Sequence, residues 1–95
     1  MANQDQRAPS AAFILGVKVF DAGRQCIPMQ DSALMGLLVD CTSVSDQLDQ
    51  WVEGWDLANR MAPVPGWTAE ENAKMVQAID PTGSKAKLLL GARNG

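Results

Sequence analysis

The segment 46–61 constrains this chain more than any other. At about 100° per residue, Leu48, Trp51, Val52, Trp55 and Ala58 fall on one side of a helix, and Asp46, Asp49, Glu53 and Asp56 fall on the other. A helix with one apolar and one charged face buries the apolar one, and two tryptophans bring a large area to be buried. The rest of the chain must supply the surface that covers them. With 95 residues it can do so in one domain only, since a single core takes roughly 50–200 residues. An apolar fraction of 46% suits a packed core, not a disordered chain.

The remaining segments read as shorter helices with identifiable stops. Residues 1–9 are polar and end in Pro9, which predicts a flexible arm. Ser10 can cap a helix running to about Ala22, with Phe13, Val17 and Phe20 as its apolar stripe and Gly23 as its left-handed end. An extended reading of residues 14–20 competes, because Val17 and Val19 are β-branched. Pro28 breaks the chain, and Asp31-Ser32 caps a short helix over 33–41 whose apolarity on every side implies burial, inside the domain or against a partner. The cluster 42–45 restarts the chain as a cap for the tryptophan helix. A loop with Pro63, Pro65 and Gly66 follows. Thr68 with Glu71 forms a capping-box pattern opening a helix to about Ile79, expected to bury Ala69, Ala73, Val76 and Ile79. Residues 80–83 stop it. The basic tail 84–95 reads either as a short helix capped by Ser84 or as an extended arm. The expected fold is all-α: a small single-domain bundle of about four helices with short loops. It comprises a flexible arm over 1–9, a helical domain over 10–83, and the tail beyond.

Several chemistries lack their residues. The chain has no histidine, the commonest general base and a common metal ligand, so a Ser–His–Asp arrangement is impossible. Two isolated cysteines cannot close a zinc site, and no glycine-rich phosphate loop is present. No catalytic residue, cofactor or metal is therefore expected. Cys26 and Cys41 read as reduced, partly buried thiols, with a bridge between them as the lesser alternative. The N-terminus lacks the pattern of a secretory signal. The longest apolar stretches, 11–17 and 33–39, fall far short of the roughly 18–20 residues that span a bilayer. A reducing cytoplasm is the expected location.

The net charge of −3 conceals a segregation. Residues 31–80 carry nine acids against two bases, whereas 81–95 carry three bases and no acid. The carboxylates of Asp46, Asp49, Glu53 and Asp56 repeat about once per helical turn, roughly 5 Å apart in rise. Such a row can meet a basic groove, including one built for nucleic acid; it can equally be a solvated face that maintains solubility.

One set of residues is also familiar. Gly16-Val17-Lys18-Val19-Phe20-Asp21-Ala22-Gly23-Arg24, then Cys26 and Pro28, then Trp51-Val52-Glu53-Gly54-Trp55 with Ala58, resembles the ribosome modulation factor family. The resemblance covers about residues 12–60 and implies a helical hairpin that binds the small ribosomal subunit. Glycines at 16 and 54 would let two helices approach closely, with Trp51 and Trp55 filling the space between. The chain departs from that family in its inserted segment 29–50, in the acidity of its tryptophan helix, and in residues 62–95.

Three readings follow. The first is a non-catalytic binding protein that modulates a larger machine through Asp46, Asp49, Glu53 and Asp56, with Trp67 as an aromatic anchor or else as a lid on the core. A phage-borne inhibitor of the anti-CRISPR or anti-defence kind would fit, with a basic protein surface as partner. The second is a ribosome- or RNA-associated protein using Lys18, Arg24, Lys85, Lys87 and Arg93. The third is a self-associating structural subunit whose homo-oligomer forms through the apolar segment 33–39.

Overall fold

The computed structural model describes residues 9–94. The arm expected over residues 1–9 lies, Pro9 apart, outside them. Five α-helices and no strand are found among the described residues: α1 (Ala11–Asp21), α2 (Ser32–Leu38), α3 (Val44–Met61), α4 (Ala69–Ile79) and α5 (Ser84–Asn94), with a single 3-10 turn at Pro28–Gln30. The chain is all-helical, with one helix more than the four expected.

Local signals explain where α1 starts and stops. The Ser10 hydroxyl accepts a hydrogen bond from the Phe13 amide at 3.2 Å. At the far end Gly23 adopts φ 77°. The Arg24 amide then reaches back to the Val19 carbonyl, and the Gly23 amide to that of Phe20. This pair of bonds satisfies carbonyls that the last turn would leave open. The helical reading of 14–20 therefore prevails over the extended one.

Helices α1 and α3 form the centre of the molecule, and two glycines set their separation. A Cβ added at Gly16 would overlap the carbonyl of Trp51, and one added at Gly54 would overlap the carbonyl of Phe13. The contact is reciprocal: each glycine faces the carbonyl three residues before the other. Backbone therefore meets backbone at the crossing, and large side chains pack to either side of it. On one side Phe13 and Val17 meet Leu57 and Ala58, together with Leu89 and Ala92 of α5. On the other, Ala12 and Trp51 meet Leu34 of α2.

This crossing turns α3 away from its expected orientation. Trp51 and Ala58 are fully buried and Leu48 and Trp55 half-buried, but Val52 is 39% exposed while Gly54 and Leu57 are buried. The buried face is centred on Gly54 because only a glycine permits the approach.

Asp31 secures α2. Its Oδ1 accepts the amides of Ala33 (3.1 Å) and Leu34 (3.4 Å), and its Oδ2 accepts the indole N–H of Trp51 at 2.8 Å. Both partners are buried, so neither could be left without the other at small cost. One carboxylate thus caps a helix and holds the largest core side chain.

Three expectations need correction. Helix α2 is only seven residues long and buries Leu34 alone; Val39 is 78% exposed. Within the domain the segment 33–41 packs by one face only, so the burial expected on every side, inside the domain or against a partner, is half supplied by the chain itself. At the start of α3, Ser43 makes no side-chain cap, and its amide donates instead to Cys41 Sγ. Helix α4 has the predicted capping box, with Thr68 and Glu71 each bonded to the other's backbone amide. Yet it buries nothing: Ala69 and Ala73 are exposed, and Val76 and Ile79 only half-buried. No second layer covers its apolar side. The tail, by contrast, is helical, and its Leu89 and Ala92 are part of the core.

Two sets of variants test this account in urea unfolding followed by tryptophan fluorescence. Gly16→Ala and Gly54→Ala should each destabilise by about 2–3 kcal/mol, since the inserted methyl meets immobile backbone. Gly36→Ala, where an added Cβ meets nothing, should instead be neutral or stabilising by up to about 1 kcal/mol. Asp31→Ala should cost about 2–4 kcal/mol, through a lost cap and an unsatisfied indole. That cost should shrink in a Trp51→Phe background, where the indole is gone.

Candidate partner-binding face

The acidic row lies on α3 opposite the face that Gly54 anchors. Asp46, Asp49 and Glu53 are exposed, and none has an ion-pair partner among the described residues. Asp56 is half-buried and pairs with Arg60 at 2.8 Å, one turn along. Both of those side chains remain well exposed, and such a pair contributes little to stability. The row therefore presents three uncompensated carboxylates on a helix whose other side is immobilised by the core.

Trp67 belongs to the loop between α3 and α4, its amide bonded to the Val64 carbonyl at 3.1 Å. At 47% exposure it is not a lid on the core. Trp51 is core, and Trp55 is half-buried: its indole donates to the Arg24 carbonyl at 3.0 Å, and its ring meets Phe20 edge-on.

The five bases are dispersed in role. Arg93 forms a two-pronged pair with Asp21, each bond 2.8 Å, which ties α5 to the end of α1. Lys85 donates its ammonium to the Ile79 carbonyl at the end of α4. Lys18, Arg24 and Lys87 are exposed and form no ion pair among the described residues. Two of the five are thus engaged in holding helices together.

The thiols are both free; Cys41 is half-buried as expected, but Cys26 is exposed, in the loop after α1. Partial desolvation, and secondarily the Asp56 carboxylate, push the Cys26 thiol above its ordinary range, which disfavours the reactive thiolate. Among the described residues no cluster of three or more potential metal ligands occurs, and no helix is long and apolar enough to cross a membrane.

The sequence concealed one feature. Because α4 is uncovered, an open cavity of about 780 Å³ lies between it and the end of α3, walled by Met61, Pro63, Ala73 and Val76 and floored by Pro81 and Gly83. Those α4 residues look identical in sequence to core residues. An amphipathic pattern states which face is apolar but not whether anything covers it. No family model, characterised protein or solved structure matches this chain.

Two carboxylates attach α5, and both titrate below their ordinary range. The hydrogen bond and charge of Arg93 hold Asp21 down. For Asp80, burial acts upward, but the amides of Ala86 and Lys85 (2.9 and 3.1 Å) and the Lys85 charge outweigh it. Groups depressed in the folded state contribute stability above their unfolded value, near 4, and lose it as pH falls through the folded value. Urea midpoints should therefore be level down to about pH 5 and decline as the pH falls below about 4. Asp21→Asn should flatten that decline.

Proposed function

We propose that this chain is a non-catalytic binding module that presents the outer face of α3 to a basic surface on a protein partner. The observation that carries the reading is the row of Asp46, Asp49 and Glu53, exposed and unpaired among the described residues, on a helix held rigid from behind. Charges in fixed positions with no internal partner steer and orient a complementary surface, chiefly raising association rate and selectivity. Asp56 extends the row at lower net charge, and the exposed Trp67 is available as an aromatic contact. A module of this kind suits an inhibitor that occupies a groove meant for nucleic acid, as phage-borne anti-defence proteins do. The absence of histidine supports a non-catalytic role, as does a cavity whose lining carboxylate, Asp80, is occupied in capping α5.

A second reading has its own support. Gly16, Trp51 and Gly54, which carry the resemblance to ribosome modulation factors, converge on one helix crossing. A ribosome-associated role would then rest on Lys18, Arg24 and Lys87, since Arg93 and Lys85 are engaged elsewhere. Three bases offer a small electrostatic footprint for RNA.

Pull-down of the tagged chain from a lysate of its source cells, with and without nuclease, separates the two readings. For the acidic face, a protein partner should be retained after nuclease and at least tenfold depleted with Asp49→Lys/Glu53→Lys. Recovery of ribosomal proteins and rRNA in equal amounts by the wild type and the double variant would instead favour the second reading.

A further inference from the structure

Helix α4 stands apart from the rest of the fold. It alone among the five described helices buries no residue, and neither core cluster contains any of its side chains. Both clusters are built wholly from α1, α2, α3 and α5. The apolar side of α4 faces the open cavity beside Met61 and Pro63.

Its own resources are slight. Eleven residues is below the length at which a helix is stable alone in water, roughly 12–15 residues even for good helix formers. The Thr68–Glu71 capping box eases the first turn, and the pair Lys74–Glu70, at 3.8 Å and largely exposed, adds almost nothing. Asn72 ties α4 to the preceding loop, its Oδ1 accepting the Val64 amide at 2.8 Å. That bond fixes the entry to the helix, not its attachment to the core.

The polar links between α4 and its neighbours lie at its two ends, including the exposed bond from the Lys85 ammonium to the Ile79 carbonyl. The segment before α4 contains Pro63, Pro65 and Gly66, the last at φ 88°. After α4, Asp80 holds α5 through the amides of Lys85 and Ala86, and Gly83 turns the chain at φ 81°. Leu89 and Ala92 in the core and the Asp21–Arg93 pair attach α5 to α1 and α3 without using any residue of α4.

We propose that α4 is a strap that opens by losing its helix while the core of α1, α2, α3 and α5 stays folded, so that the apolar groove exists only in the closed state. Anything that occupied the groove would have to fold the strap as it bound. The inference is independent of the acidic face, which lies on α3.

Amide hydrogen exchange of the full chain tests it, alongside Ala73→Pro. A proline at 73 removes a helix donor and clashes with the turn before it. In the wild type, amides of residues 73–79 should be protected at least about tenfold less than those of Val17, Trp51 and Leu57. In the variant the helical signal of α4 should vanish, while the Trp51 indole proton, bonded to Asp31, keeps its protection within about threefold. The strap is overturned if residues 73–79 exchange at the rate of the core. It is equally overturned if Ala73→Pro exposes the Trp51 indole, since α4 would then be integral to the fold.

Discussion

Helix α1 can lie on α3 only because neither helix carries a side chain where they cross. Gly16 sits against the Trp51 carbonyl and Gly54 against that of Phe13, so the two backbones meet with no room for a Cβ between them. That distance determines what fits beside it. Phe13 and Val17 reach Leu57 and Ala58 on one flank, and Trp51 reaches Leu34 on the other. It also fixes which way α3 faces, because burying Gly54 turns Val52 outward and leaves Asp46, Asp49 and Glu53 in water. The acidic face is thus a consequence of the crossing as much as of its own residues.

Around this centre the peripheral helices are attached by carboxylates. Asp31 caps α2 and receives the Trp51 indole. Asp80 caps α5, and Asp21 clasps Arg93 on the same helix. The Asp31–Trp51 bond and the Asp21–Arg93 pair span elements distant in sequence, whereas Asp80 acts within six residues; each acid has more than one donor bond converging on it, which lets short helices be held with little apolar area. Helix α4 has no such attachment along its length and correspondingly little burial. The molecule therefore combines a tightly determined centre with one element held mainly through its ends, the arrangement in which local opening is cheapest.

For function, the consequence is a division of surfaces. The α3 face is charged, rigid and open, as suits recognition of a basic partner. The groove beside α4 is apolar, and its shape depends on whether α4 is folded. The bases that could speak for RNA are partly consumed by the fold itself, Arg93 by Asp21 and Lys85 by the end of α4.

The helices were legible in the residues because their signals are local. Ser10 and Gly23 bound α1, Thr68 and Glu71 open α4, and the spacing of acids and tryptophans marks α3 as two-faced. The pairing of Gly16 with Gly54 was also readable, since a glycine in a helix interior costs stability unless something approaches it closely. Gly36 has the same cost and no neighbour in this fold, so the residue alone does not reveal the reason. Tertiary structure alone decided which apolar faces are covered. Leu89 of the tail, a segment that read as either helix or arm, is core, whereas Ala73 of a well-capped helix, expected to be buried, is exposed. It also decided that Asp31 holds Trp51 twenty residues away. Periodicity and caps are properties of neighbours along the chain, but burial depends on whether a second surface arrives, and no local pattern contains that.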